Sequence, residues 1–120
     1  MPQVKISGYH DQLAPIQDQL IQIIEDCFAE VTGLTPDKVV QRCYPMAVKD
    51  LHCPGRSNRY TIVEISMFTG RPVAVTKQLI KTILTNAQQE LGLAATELDI
   101  MLIELPSHHW GLRGTTGDEL

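Results

Sequence analysis

The chain contains its own first half twice. At a constant offset of 59 and without a gap, Val4, Ile6 and Ser7 recur as Val63, Ile65 and Ser66. The run Gln19-Leu20-Ile21 recurs as Gln78-Leu79-Ile80, Ile24 as Ile83, and Gly33-Leu34 as Gly92-Leu93. These are nine identities over the 38 positions from Val4 to Gln41, where average composition gives about two. Self-similarity at a fixed spacing implies one structural unit used twice, so residues 1-59 and 60-120 are expected to fold alike as a pseudo-repeat within a single domain spanning 1-120.

Each half reads as strand, helix, strand. Residues 2–8 place Val4 and Ile6 on one face and Gln3, Lys5 and Ser7 on the other, the period of two of a strand. Pro15 fits the first helical position, where its missing N–H costs nothing, and Leu20, Ile23, Ile24, Cys27, Phe28 and Val31 then recur at helical spacing up to Gly33. In the second half Pro72 opens the helix, Leu79, Ile80, Ile83, Leu84, Ala87 and Leu91 form its stripe, and Gly92 stops it. Strands of about 39–45 and 99–105 close the two units. Parallel strands joined through a helix cross over right-handed, so both helices belong on one face of a four-stranded mixed sheet. The expected class is α+β, two tandem βαβ units.

That architecture leaves the second face of the sheet bare, yet the later strands are apolar on both sides. Ile62 opposes Val63 and Ile65, while Met101, Ile103 and Leu105 oppose Ile100 and Leu102. A chain of 120 residues has nothing left to form another layer. Another copy is expected to cover the face, making an obligate homo-oligomer.

Composition narrows the partners. Ten Lys and Arg against 14 Asp and Glu leave a net charge of −4, and the cations are scattered, which argues against nucleic acid and anionic membrane surfaces. No run is long and apolar enough to span a bilayer, and MPQVKISG lacks the order of a secretory signal, so a cytoplasmic location is expected. Cys27, Cys43 and Cys53 form no CxxC pair and are expected to be reduced. His52-Cys53 and His108-His109 offer metal-ligating atoms, but no set of four converging ligands can be assembled from the sequence. The final GDEL lacks the Lys or His of a retention signal.

Chemistry is expected where the repeat breaks its symmetry, because packing demands are shared between halves and chemistry need not be. Pro2 matches Thr61, and Arg71 matches Gln12. If the halves pair antiparallel through their first strands, the start of one lies beside the end of the other, and Pro2 approaches the turn Thr69-Gly70-Arg71-Pro72. Methionine before proline is ordinarily removed, which leaves Pro2 with a free secondary amine. A free α-amino group titrates near ~8, and a nearby guanidinium or apolar walls lower that value by disfavouring its charged form. Poised near neutrality, it takes a proton from carbon beside a carbonyl and returns it elsewhere. The alternative is a proline that merely begins a strand. Arg71, where the strand gives way to the helix, can hold a carboxylate together with the free N–H groups of the helix's first turn, or it is an exposed turn arginine.

MPQVKI at the start, RSNRYTIVEISMFTGRP in the middle, KQLI in the second helix and HHWGLRGTTGDEL at the end are similar to the signatures of the tautomerase superfamily, and resemble its bacterial tautomerase-like group most. The superfamily includes oxalocrotonate-type tautomerases, the malonate semialdehyde decarboxylase type and the macrophage migration inhibitory factor type. The resemblance covers nearly the whole chain. It implies a homotrimer with shared active sites, Pro2 as general base or acid, and Arg71 as carboxylate binder. Through it Gln41 rather than Arg42 is expected to face the site. Trp110 either walls a pocket or pins the terminus to a neighbour, and Arg113 either joins Arg71 on the anion or makes a salt bridge within the tail. Arg56 and Tyr60 belong to the matching middle segment. Where related members carry Asp-(Arg or Lys)-Arg-Phe after the first helix, this chain has Asp37-Lys38-Val39-Val40. Pro72 stands where serine is usual, Thr76 where lysine is common, and His109 where asparagine is usual.

The expectation drawn from these residues is an enol-keto tautomerase of small 2-oxo acids or related unsaturated carboxylates, using neither metal nor organic cofactor. The alternatives are hydration, dehalogenation or decarboxylation of a three-carbon acid on the same scaffold, or a non-catalytic trimeric binding protein.

Overall fold

Alternation of Val4 and Ile6 with polar neighbours produces β1 (Gln3–Tyr9), and the chain continues through a short helix α1 (His10–Leu13), α2 (Gln17–Thr32) and β2 (Val40–Met46). The second unit follows as β3 (Thr61–Phe68), α3 (Val73–Leu91) and β4 (Leu98–Leu105), and a small hairpin of β5 (Gly111–Leu112) and β6 (Thr115–Thr116) ends it. This is a computed structural model that describes all 120 residues. The four long strands form one mixed sheet in the order β2-β1-β3-β4. β1 runs parallel to β2 and β3 parallel to β4, while β1 and β3 are antiparallel at the centre.

The repeat is a pseudo-twofold in space. In the central ladder Lys5 pairs with Glu64, and 5 + 59 = 64, so this pair maps onto itself. The same holds in the helix layer, where the Asn86 amide donates to Cys27 Sγ at 3.5 Å and 27 + 59 = 86. The axis passes through both pairs. Equivalence extends beyond the sequence identities: the 3-10 turns Val48–Asp50 and Ser107–His109 correspond, as do Gly55 (φ 77) and Gly114 (φ 80), both left-handed.

Both helices pack on one face. Leu20, Ile23, Ile24, Cys27 and Phe28 of α2 and Leu79, Ile83 and Ala87 of α3 close over Val4, Ile6, Val63, Ile65 and Met67 as one core. Burial pushes the Cys27 thiol up to about 11 against the opposing hydrogen bond from Asn86, so it stays a protonated core residue. α2 ends at Gly33 and α3 at Gly92, both with positive φ (74 and 65) as helix-terminating glycines require.

Two boundaries differ from the sequence expectation. Pro15 does not open the long helix: it lies in the turn between α1 and α2, where Ile16 N–H bonds the Leu13 carbonyl at 3.0 Å and the helix starts one residue later. The short α1 takes up the chain first, burying Leu13, a contact with no periodic signal in four residues. Pro72 is the residue before α3, with extended backbone (φ −59, ψ 146), and its carbonyl accepts from Val75 and Thr76.

The opposite sheet face is bare in the isolated chain. Lys5, Ser7, Glu64 and Ser66 lie at its centre, and apolar side chains lie toward both edges: Met101 (46% exposed) and Ile103 (41%) on β4, Val40 and Tyr44 on β2. No helix is long and apolar enough to cross a membrane.

Candidate active site

Because β1 and β3 are antiparallel, the start of β1 lies at the end of β3. There a cleft of about 220 Å³ opens, lined by Met1 and Pro2, by Met67 to Arg71, and by Leu34 from the segment after α2. Pro2 itself is buried, and its carbonyl accepts the Val40 N–H at 3.0 Å, which fixes the chain start against β2. Gly70 turns the backbone at φ 123, a value that disfavours any side chain, and so delivers Arg71 to the rim.

A larger cleft of about 430 Å³ lies at the opposite end, lined by Tyr9 to Gln12, Met46 to Val48 and Arg56 to Asn58. It is the twofold mate of the first, and size does not decide between them. In the larger cleft the place of Pro2 is taken by Thr61, whose nitrogen is locked in a peptide bond, and that of Arg71 by Gln12. Only the smaller cleft combines the chain terminus with a cation, Arg71, in its lining, and two further cations, Arg113 and Lys38, lie near enough to act on that terminus.

Those cations act on the chain terminus. The Met1 amine is held below the usual α-amine value, first by burial and then by the charges of Arg113, Lys38 and Arg71. Arg113 comes from the tip of the β5–β6 hairpin, where it is the chain's one non-glycine residue at positive φ (52), and its Nη2 lies 3.7 Å from Met1 Sδ. Lys38 comes from the 3-10 turn Pro36–Lys38, two residues before Val40. Beside it, Asp37 is kept below the ordinary carboxylate range by a hydrogen bond from Thr35, helped by the charges of Lys38 and Arg113.

Pro2, Arg71 and Arg113 are thus brought to one end of the molecule. Trp110 stands one layer back: it meets Phe68 edge-on at 5.1 Å and 86°, and Phe68 lines the cleft. Gln41 does not line it. The Gln41 side chain shares the helix-facing side of the sheet with its partner Val4 and donates to the Ile21 carbonyl at 3.0 Å, leaving Oε1 buried without a partner. Arg42 projects from the bare face. Arg56 and Tyr60 sit far from Pro2, beside β4. Arg56 bonds the Thr96 carbonyl at 2.8 Å and lies 5.0 Å over the Tyr60 ring, while Tyr60 donates to Asp99 and is thereby pushed up to about 12. They fasten the start of β3 to β4.

Sequence reasoning did not single out Lys38, Phe68 or Leu34. The signal for Lys38 was in the topology: parallel pairing of Gln3 with Val40 puts the residues just before β2 beside the start of β1.

A family model described as "Tautomerase enzyme" matches residues 38–113, more than half of the chain. Among solved structures, the chain is similar to Pt0534 inactivated by 2-oxo-3-pentynoate, at 17% identity and TM-score 0.86 over 98% of each chain. It is similar to the R7 fused 4-OT, an asymmetric trimer, at 15% identity and TM-score 0.85 over 98% of this chain and 97% of that one. The FG41 malonate semialdehyde decarboxylase inhibited by 3-bromopropiolate matches at 17% identity and TM-score 0.78, over 91% and 87%. At these identities the structural likenesses establish the shared fold.

Proposed function

Since the chain belongs to the tautomerase enzyme family, we propose that it is a cofactor-independent enol-keto tautomerase of small 2-oxo acids or related unsaturated carboxylates, with Pro2 as its proton-transferring group. One observation carries this reading: Pro2 stands at the start of β1 in the same cleft as Arg71, at a terminus where Arg113, Lys38 and Arg71 all disfavour a protonated amine. Loss of Met1 transfers the terminal nitrogen to Pro2, which is itself buried.

The neutral imino nitrogen of Pro2 removes a proton from the carbon beside the substrate carbonyl, and the electron pair moves onto oxygen as an enolate. The resulting prolinium returns the proton to the enolate oxygen, giving the enol, and the reverse sequence gives the keto form, so the nitrogen ends as it began. Arg71 holds the carboxylate, with Arg113 from the hairpin as a second cation on the same side. Phe68, backed by Trp110, excludes water, which strengthens both charge interactions. We assign Gln41 to shaping the edge of the site through α2 rather than to touching substrate.

A trimer with sites shared between neighbours accounts for the uncovered apolar residues of β2 and β4, and the fused 4-OT structure is a trimer. A cytoplasmic setting suits three unpaired cysteines. A second reading, hydration or decarboxylation of a three-carbon acid, is favoured by Asp37, a carboxylate held ionised in the same positive field and able to orient water.

The test is covalent. 3-Bromopropiolate, which inhibits the FG41 decarboxylase, is expected to add one adduct per chain at Pro2, mapped by mass spectrometry, and Pro2→Ala is expected to abolish it. Absence of labelling in the purified protein, or a retained Met1, overturns the reading and leaves a non-catalytic binding protein.

A further inference from the structure

The last segment of the chain is closed by a glycine with no room for a side chain. A Cβ at Gly117 would lie 2.6 Å from the Ser107 carbonyl oxygen and 2.7 Å from Cζ of Phe68. The Gly117 N–H donates to the Trp110 carbonyl at 2.8 Å. That bond closes the base of the loop whose hairpin, pairing Gly111 with Thr116 and Leu112 with Thr115, carries Arg113 at its tip. The tip of the Phe68 ring therefore abuts Gly117, the ring packs perpendicular to Trp110, and it forms part of the Pro2 cleft.

The other half shows that this is no general packing demand. The position matching Gly117 is Asn58, and that matching Phe68 is Tyr9, whose hydroxyl bonds the Leu51 carbonyl at 2.7 Å. A residue with a side chain is accommodated at 58, whereas at 117 a Cβ would collide with the ring.

We propose that Gly117 is a positioning residue of the Pro2 site, holding the Phe68 wall and, through the base of the hairpin, the guanidinium of Arg113 over the chain terminus. The proposal rests on the tautomerase reading above. Any side chain at 117 must push Phe68 into the cleft or separate Ser107 and Trp110 from Gly117, because crowded cores relieve overpacking by displacement. Either movement alters the site while the sheet and helices stand.

The test compares the full-length protein with Gly117→Ala, Arg113→Ala and the double variant. The pH dependence of Pro2 labelling by 3-bromopropiolate is measured at a temperature where far-UV circular dichroism shows all four folded. The charged groups acting on the terminus are Arg71 from the turn after β3, Lys38 from the turn before β2, where Asp37 is its neighbour, and Arg113 from the hairpin. Gly117→Ala is expected to move the labelling midpoint upward toward ~8 and to lower labelling efficiency about tenfold, as losing a charge-assisted contact does. The double variant is expected to match Arg113→Ala alone. Wild-type midpoint and efficiency in Gly117→Ala overturn the proposal. If the wild-type protein is not labelled at all, the tautomerase reading fails, and the near-UV circular dichroism of Trp110 decides this one: its loss in Gly117→Ala supports it, and an unchanged spectrum overturns it. Should Gly117→Ala not fold, Gly117→Ala with Phe68→Leu is compared with Phe68→Leu alone. The clash with Ser107 persists there, so a higher midpoint is expected and an equal one contradicts the proposal.

Discussion

Among the residues that distinguish the two ends of this nearly symmetric molecule, the proposed chemistry turns on Pro2, which would carry the terminal nitrogen once Met1 is removed, whereas its counterpart Thr61 is held in a peptide bond. That difference was legible in the sequence, because a repeat exposes its own exceptions. The three-cation field was only partly legible: Arg71 and Arg113 were singled out as anion binders, whereas Lys38, noted only within the Asp37-Lys38 stretch, reaches the site through strand pairing. Gln41 illustrates the limit of alternation. Alternation separates it from Arg42 but does not say which side meets the site: Gln41 lies on the side that meets α2, and its amide is taken by Ile21. At this scale Arg71→Ala is expected to raise KM and lower kcat/KM for a carboxylate substrate about ten- to a hundredfold, the value of one hydrogen-bonded charge, measured by steady-state kinetics. A neutral analogue lacking the carboxylate is expected to be spared. Linkage adds a stability effect. A terminal amine whose folded value is lowered penalises the fold only while protonated, so stability rises with pH across the window from the lowered value to ~8 and is flat above it. Urea midpoints measured across that window check the sign.

Elements follow the sequence where burial is periodic and depart from it where contacts are few. The stripes of α2 and α3 and the alternation of β1 and β3 were readable because each residue's neighbours at the right spacing share its fate. The break at Pro15 and the β5–β6 hairpin were not readable: four residues of α1 and two-residue strands carry no period. Both helices stop at left-handed glycines, so Gly33→Ala and Gly92→Ala are each expected to cost about 1 kcal/mol in urea unfolding, the penalty for a Cβ at positive φ. Since open space surrounds both positions, that cost is conformational and no clash adds to it. Ile83→Ala, which empties a fully buried position, is expected to cost about 2–5 kcal/mol in the same assay.

As a whole, the chain is half a solution to its own burial problem. Its helices cover one face of the sheet, while Met101 and Ile103 at one edge and Val40 and Tyr44 at the other are left for something else to cover. Met101→Lys with Ile103→Lys is therefore expected to yield a folded but dissociated chain in sedimentation, where the unaltered protein is expected to sediment as a trimer; a monomeric unaltered protein contradicts the shared-site assembly. The twofold that runs through Lys5–Glu64 and Cys27–Asn86 gives the molecule two clefts, and the account assigns chemistry to the smaller because of charge and chain position rather than volume. The most direct measurement is a titration of Pro2 itself, by nuclear magnetic resonance of ¹⁵N-proline in the assembled protein. The account predicts a processed N-terminus whose imino nitrogen loses its proton at a midpoint clearly below ~8, moving up when Arg71 or Arg113 is replaced by Ala. A midpoint at or above that value, indifferent to both arginines, contradicts it.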